Sequence, residues 1–139
     1  MTIKIKLLHQ YATQPTRGTE GSAGFDLYAT ENHTVWPGAR VKIPTGVSLG
    51  IPAGYAGFIW PRSGMAVKYG FDILAGLIDA DFTGEIMVAG MNHGDQAIEI
   101  RRGERVAQIV FSPVNVLCEM GQELDDTDRG SGAFGSTGV

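Results

Sequence analysis

The stretch from Arg129 to Val139 is the most informative part of the chain for chemistry. It contains one arginine, one phenylalanine and three hydroxyl side chains, separated by four glycines. A glycine-rich backbone exposes N–H groups that can wrap an oxyanion. Arginine binds phosphate through paired hydrogen bonds, and phenylalanine offers a flat face for stacking. The pattern predicts a nucleotide clamp. The alternative is a disordered glycine-serine tail, which is what most termini of this composition are.

Two further segments place a carboxylate where it can do chemistry. Asp79 follows the apolar pair Leu77-Ile78, with Asp81 two residues further on. A partly buried carboxylate at such a position can orient and deprotonate a water. Asp26 interrupts the apolar run Ala23–Ala29, where a charged group needs a dedicated partner. For both segments a purely structural role, in a hairpin turn or a backbone contact, remains the alternative.

Two other segments carry candidate phosphate ligands. Pro61-Arg-Ser-Gly64 lies where an apolar run meets the only helical pattern in the sequence, and a helix N-terminus beside an arginine is a good anion site. An ordinary helix cap with a solvated Arg62 is the alternative. Gln108 falls inside an apolar run, where its amide needs hydrogen-bond partners. A satisfied glutamine within a sheet is the commoner case.

Other site classes fit the sequence poorly. Gly130 and Gly135 have P-loop spacing, but Ser136 occupies the position of the required lysine, so the ATPase interpretation fails. The histidines and Cys118 lack the spacing of a metal site, and the Asp125–Asp128 cluster lacks that of a calcium loop. Any metal is therefore expected to arrive with a substrate.

Composition narrows the class of protein. A length of 139 residues predicts one domain, and a net charge of −4 argues against binding a nucleic acid polymer. The single cysteine, Cys118, excludes an internal disulfide, suits a reducing cytoplasm and is expected to be a small core residue. The sequence shows no signal peptide and no apolar run of membrane-spanning length, so no membrane partner is expected.

Short apolar runs punctuated by turns predict an antiparallel sandwich, jelly roll or barrel. Alternation of Ile3, Ile5 and Leu7 with polar residues predicts a half-buried first strand. One short helix is expected, capped by Ser63 and ended by Gly70. The remaining predicted strands are Val41–Ile43, Val47–Ile51, Tyr55–Trp60, Glu85–Val88, Ala97–Ile100, Arg105–Phe111 and Val114–Cys118.

The composition changes near Glu119, after which little is left to bury. We therefore predict a β domain over residues 1–118 and a C-terminal arm over residues 119–139. A small domain with a detached arm often places that arm on a neighbouring subunit, so an oligomer is expected.

Five segments together, in this order, resemble the five motifs of trimeric dUTP pyrophosphatases. The resemblance extends from about Lys4 to Gly138, nearly the whole chain. The segments are Ala23-Gly-Phe-Asp-Leu-Tyr-Ala29, Pro61-Arg-Ser-Gly64, Gly76-Leu-Ile-Asp-Ala-Asp-Phe-Thr-Gly84, Arg102-Gly-Glu-Arg-Val-Ala-Gln108 and Arg129-Gly-Ser-Gly-Ala-Phe-Gly-Ser-Thr-Gly138.

The resemblance implies an all-β, jelly-roll-like subunit with one short helix and an extended C-terminal arm, assembled as a homotrimer with active sites at the subunit interfaces. The implied reaction converts dUTP to dUMP and pyrophosphate, which limits uracil in DNA and supplies dUMP for thymidylate synthesis. Mg2+ is held by the substrate triphosphate and has no direct protein ligand. The implied location is the cytoplasm, or the host cytoplasm for a viral chain.

The resemblance also implies a role for each matching residue. Asp79 is the general base, and Asp26 supports the magnesium and water network through water. Phe134 stacks on uracil. The implied phosphate ligands are Arg62, Ser63, Gly64, Gln108, Arg129, Gly135, Ser136 and Thr137. The implied base and sugar contacts are Ile73, Leu74, Gly76, Ile78, Asp79, Phe82, Met87 and Phe134.

The chain departs from the family pattern at two places. Phe82 stands where a tyrosine is common, so its ring is expected to exclude a 2′-hydroxyl without a hydroxyl contact. No asparagine precedes Asp79 within Phe71–Ala75, so base recognition there rests on the main chain. Two alternatives of similar fold are a dCTP deaminase, which the complete tail matches less well, and a regulatory binding protein, for which no added segment is evident.

Overall fold

The computed structural model describes residues 2–121 and 123–134. The elements in that part of the chain are short strands joined by turns, with one short helix between the fifth and sixth strands. In chain order they are β1 Lys4–Leu7, β2 Phe25–Tyr28, β3 His33–Val35, β4 Arg40–Gly50, β5 Tyr55–Trp60, α1 Ser63–Tyr69, β6 Phe71–Ile73, β7 Leu77–Ile78, β8 Glu85–Asn92, β9 Ile98–Ile100 and β10 Arg105–Pro113.

The strands form two four-stranded sheets and one two-stranded sheet. The strand orders are β1-β4-β8-β6, β2-β10-β5-β7 and β3-β9, and every pairing is antiparallel. Fully buried side chains from both larger sheets, including Leu27 and Ile109 from one and Ile43 and Ile86 from the other, pack into one core. The structure confirms the predicted all-β, antiparallel fold class.

The predicted strands Val41–Ile43 and Val47–Ile51 are one continuous strand, β4, instead of two. The Pro44-Thr-Gly46 signal is a bulge: the register against β8 shifts between Pro44 and Ser48, and Gly46 has φ of 66°. A left-handed glycine is a common device for inserting an extra residue into one strand. The bulge is fixed from inside, because the buried Thr45 hydroxyl donates to the Ile86 carbonyl at 2.6 Å.

Two predictions about apolar segments are wrong for the chain as described. All four residues of β1 are exposed, because β1 is an edge strand that pairs only with β4. The segment Val114–Cys118 forms no strand, and Cys118 is exposed and not a core residue. The last strand ends at Pro113, which cannot donate to a ladder, and the chain beyond leaves the sheet. An apolar pattern in the sequence can predict a strand, but it does not show whether another part of the chain packs over that segment.

The helix runs from Ser63 to Tyr69 and is ended by Gly70 as expected, with Gly70 in the left-handed conformation at φ of 69°. Ser63 is not the cap. The capping position belongs to Arg62, in extended conformation and with no side-chain capping bond, because its side chain reaches another partner described below. With seven residues, α1 is far too short to cross a membrane, and no other helix occurs in residues 2–121 or 123–134.

The turn that follows β8 supports the end of α1 through one buried amide. The fully buried Asn92 donates through Nδ2 to the carbonyls of Val35 and Gln96, each at 2.8 Å, and accepts from the Gly94 N–H at 2.8 Å. Gly94 in turn lies against Gly70, since a Cβ on Gly70 would be 2.7 Å from the Gly94 nitrogen. One side chain therefore fixes the contact between this turn and the helix.

We predict that Asn92→Ala lowers the free energy of unfolding by about 3 kcal/mol, since it leaves one buried and two part-buried backbone groups without this partner. Denaturant titration at a fixed protein concentration measures this. The control is Asn32→Ala, which removes one exposed hydrogen bond from the Arg102 N–H and should cost less than about 1 kcal/mol. Equal losses in the two variants would contradict the assigned role of Asn92.

Candidate active site

Asp26 lies between two arginines. Its side chain is 13% exposed on β2, where Arg62 Nε donates to Oδ1 at 2.8 Å and Arg105 Nη1 donates to Oδ2 at 3.5 Å. This is the dedicated partner that an isolated carboxylate among apolar neighbours requires. Arg62 was expected near a site. The role of Arg105 was missed, because within its motif it was treated only as the start of a strand.

Gln108 ties the centre of this sheet to the Pro61–Gly64 segment. It lies on β10, opposite Asp26 on β2 and opposite Trp60 on β5. Its Nε2 donates to the Pro61 carbonyl at 3.0 Å. The carbonyl that Gln108 holds therefore belongs to the residue just before Arg62, which binds Asp26. The structure brings three predicted site residues, Asp26, Arg62 and Gln108, into one cluster.

A groove with a volume of 640 Å³ opens beside this cluster. Arg62 and Arg105 contribute cations to its wall, Glu99 and Glu104 contribute carboxylates, and Tyr69 is one of its apolar residues. Volumes of this size suit small ligands. Ser63 and Gly64 are exposed on the first turn of α1, next to Arg62. The groove is therefore lined by charges of both signs, and its side next to the cluster carries Arg62.

The second group of predicted site residues lies on the connection from β6 to β8. Ile73, Ile78 and Met87 are half-buried there. The backbone is fixed on both sides: the Leu74 N–H donates to the Ala89 carbonyl at 2.9 Å, and the Ile59 N–H donates to the Gly76 carbonyl at 2.8 Å.

This hairpin has an unusual backbone conformation at its start and exposed side chains at its tip. Ala75 and Gly76 both have positive φ, 61° and 99°, and a non-glycine residue there is strained in a way that often marks a functional site. At the tip Asp79 is exposed, and its carbonyl accepts from the Phe82 N–H at 3.2 Å. The Phe82 ring lies over Gly84, where a Cβ would be 2.8 Å from Cζ. The carboxylate and the ring are thus accessible to a ligand.

The two groups are far apart within one chain. Ile78 pairs with Gly57 near the start of β5, and the two strands are antiparallel. Asp79 therefore lies toward the N-terminal end of β5. Arg62 follows the other end, five residues after Gly57, which is about 16 Å of extended chain. Asp26 is also distant from Asp79, because β2 and β7 are the opposite edges of the four-stranded sheet, about 14 Å apart across three interstrand spacings. Within one chain, Asp79 and Arg62 therefore lie toward opposite ends of β5.

The described part of the tail stays separate from both groups. Arg129 Nε donates to the Gly132 carbonyl at 2.9 Å, and the Phe134 side chain is fully exposed. No hydrogen bond or ion pair joins either residue to another predicted site residue within residues 2–121 and 123–134. Three further predicted ligands, Gly135, Ser136 and Thr137, lie outside the described residues.

The described chain offers no cage for a bare cation. No group of three acidic, histidine or cysteine side chains there is arranged to hold a metal. Both oxygens of Asp26 face guanidinium groups. Mg2+ keeps several waters and commonly combines few protein carboxylates with substrate phosphates, so the residues present suit an ion that is carried by a triphosphate.

Comparison with known proteins assigns the chain to a family. The dUTPase family profile matches residues 10–138. The chain belongs to the dUTPase family. This result confirms the resemblance seen in the five motifs.

Individual relatives match over almost the whole chain. The deoxyuridine 5'-triphosphate nucleotidohydrolase of Syntrophotalea carbinolica is 44% identical over 99% of this chain and 97% of its own length. That of Nautilia profundicola is 47% identical over 99% of each chain. Among solved structures, a mutant dUTPase of Staphylococcus bacteriophage 80alpha with dUpNHpp has a TM-score of 0.93 at 28% identity, covering 99% of each chain.

Proposed function

We propose that this dUTPase-family chain hydrolyses dUTP to dUMP and pyrophosphate at sites built between the subunits of a homotrimer. The observation that carries the proposal is the cluster of Arg62, Asp26 and Gln108 beside a groove, separated within one chain from the Asp79 hairpin. The cluster provides a phosphate end, and the hairpin provides a base-and-sugar end. A nucleotide that contacts both ends must span two subunits.

At the phosphate end, Arg62 is the main cation and is already aimed by its bond to Asp26. Ser63 adds a hydroxyl and the second N–H of Gln108 remains for a phosphate oxygen. A Cβ on Gly64 would meet nothing within 4 Å, so packing within the chain does not require glycine there. Close approach of a ligand explains it instead. In this proposal the tail of another subunit supplies Arg129, Gly135, Ser136 and Thr137.

At the base end, the hairpin backbone recognises the edge of uracil and leaves no room for a 5-methyl group. Leu74 and Gly76 are positioned for this by their bonds to β8 and β5, and Ile73, Ile78 and Met87 line the apolar side. The exposed Phe82 ring packs beneath the deoxyribose and excludes a 2′-hydroxyl. Phe134 of the tail stacks on the opposite face of uracil.

Asp79 is the general base of the proposed reaction. Its carboxylate takes a proton from a water, and that water attacks the α-phosphorus while pyrophosphate leaves. Phosphoryl transfer depends mainly on positioning and on neutralising the charge of the phosphate oxygens. Arg62 and Arg129 supply positive charge, and closure of the tail excludes bulk water.

Mg2+ is the proposed metal, and it supplies neutralisation of charge on the triphosphate oxygens when bound. Asp26 belongs to the phosphate end through its pairing with Arg62, and it would contact the ion through a water because its oxygens are already paired with arginines. The contribution of the chain is to hold Arg62 in place and to keep Asp79 free for the water.

The exposed apolar residues of one subunit also support contact between subunits. Val116, Leu117, Met120 and Leu124 are between 80% and 100% exposed. Such a run of exposed apolar side chains marks a segment that packs on another molecule. We therefore propose that the arm, residues 119–139 with the apolar run leading into it, lies on neighbouring subunits. The proposed cellular role is to limit uracil in DNA and supply dUMP, in the cytoplasm.

The activity is tested by pyrophosphate release from dUTP, dTTP, dCTP and UTP in the presence of Mg2+. We expect release from dUTP to exceed that from each of the others by at least about a hundredfold in kcat/KM, because a hydrogen-bonding base site rejects analogues strongly. Ammonia release from dCTP is measured in parallel. Equal rates for the four nucleotides, or ammonia release, would reject the proposed function.

For the general base, we predict that Asp79→Asn keeps dUTP affinity within about threefold and lowers the single-turnover rate by about a hundredfold or more. The matched control is Asp81→Asn, which alters an exposed carboxylate on the same turn and should leave the rate near that of the unmodified protein. A normal single-turnover rate in Asp79→Asn would show that another group accepts the proton.

The shared site is tested by mixing two inactive variants, Asp79→Asn and Arg62→Ala, which are unfolded together and reassembled. Random assembly pairs an intact hairpin with an intact phosphate end in about a quarter of the sites, so about a quarter of the normal activity should return. The control mixes Asp79→Asn with the double variant, where no intact site forms. Recovery no greater than in that control would place Asp79 and Arg62 in one subunit's site.

A further inference from the structure

Gly24 lies against the side chain of Gln108. It is buried just before β2, and an added Cβ would be 2.5 Å from Gln108 Oε1 and 3.1 Å from its Cβ and Cδ. Gly24 is not among the residues with positive φ. A left-handed backbone therefore does not explain glycine at this position, whereas the space taken by the Gln108 side chain does.

Gly24 also determines which way the Gln108 amide faces. With Oε1 over Gly24, Nε2 is directed to the Pro61 carbonyl, to which it donates at 3.0 Å. A side chain on Gly24 would occupy the position of the amide oxygen and move the whole amide. The bond to Pro61 would then be lost or stretched, because Gln108 itself is fixed between β2 and β5.

The contact continues to the main cation of the site. Pro61 immediately precedes Arg62, whose extended backbone leads into α1 and whose Nε donates to Asp26 at 2.8 Å. Gly24 and Asp26 are two residues apart on the same segment. A chain of contacts therefore starts at Gly24, runs through Gln108, Pro61 and Arg62, and returns to the Gly24 segment at Asp26.

We propose that Gly24 is a positioning residue, which sets the Gln108 amide and through it the aim of Arg62. This inference rests on the proposed function, in which Arg62 and Gln108 hold the phosphates. The placement itself is independent of any reaction, so it can be measured without turnover.

The first measurement is a crystal structure of Gly24→Ala. The Gln108 Nε2 to Pro61 O distance should exceed 3.5 Å, outside hydrogen-bonding range. The matched control is Gly21→Ala in the same loop, where an added Cβ meets nothing within 4 Å and the bond should persist. An unchanged bond in Gly24→Ala would overturn the proposal, even if dUTP proves not to be the substrate.

The second measurement is a cycle of dUTP kinetics. Gly24→Ala should lower kcat/KM about tenfold or more, mainly through KM, because misplaced ligands weaken phosphate binding. In a Gln108→Ala background the same change should have less than about a twofold effect, because its target is gone. An equal loss in both backgrounds would mean that Gly24 acts on the fold and not through Gln108.

Folding of the variants gives the same distinction. If Gly24→Ala alone does not fold, the double variant with Gln108→Ala should fold, because it removes Oε1 and Cδ, two of the three atoms that the new Cβ would approach, including the one at 2.5 Å. Failure of both to fold, with Gln108→Ala folding normally, would overturn the proposal. Absence of dUTP hydrolysis in the unmodified protein would instead reject the proposed function and leave the crystallographic result standing.

Discussion

The constraint on which the site depends is the pairing of one poorly exposed carboxylate, Asp26, with two arginines. A charge this far from water is tolerated only where partners face it. Arg62 lies beyond the end of β5 and Arg105 begins β10, so both reach Asp26 only while β2, β10 and β5 are adjacent in that order. The strand order is thus a condition for the phosphate end, and the ion pairs in turn hold the Pro61–Gly64 segment to the sheet.

The same sheet also separates the two groups of candidate site residues. Its two edges, β2 and β7, carry Asp26 at one side and lead to Asp79 at the other. Three interstrand spacings separate these edges, and this separation is the basis for proposing that a ligand which touches both ends also touches a second copy. The edge strand β1 and the apolar segment beyond Pro113 are also left uncovered. The proposed assembly would therefore cover these apolar residues and also complete the proposed site.

Much of the fold could be predicted from local patterns. Period-two apolar runs and turn residues located β5 at its observed bounds and α1 up to Gly70. The wrong predictions concern segments whose local sequence is compatible with two structures. Pro44-Thr-Gly46 signals a turn or a bulge, and only the partner strand β8 decides between them. Apolar alternation in β1 predicts a buried face, but burial needs a covering layer that the single chain lacks.

The site residues could be predicted by type, but their grouping could not, and Arg105 shows why. In a regular strand, residues three apart point to opposite faces, so Arg105 and Gln108 should face opposite ways. The register of β10 against β2 shifts between Arg105 and Ala107, which places Arg105 opposite Tyr28 and on the same face as Asp26 and Gln108. One extra residue in the strand is thus what turns the second arginine toward the carboxylate. No sequence period records that residue, because a bulge is set by the pairing of two strands.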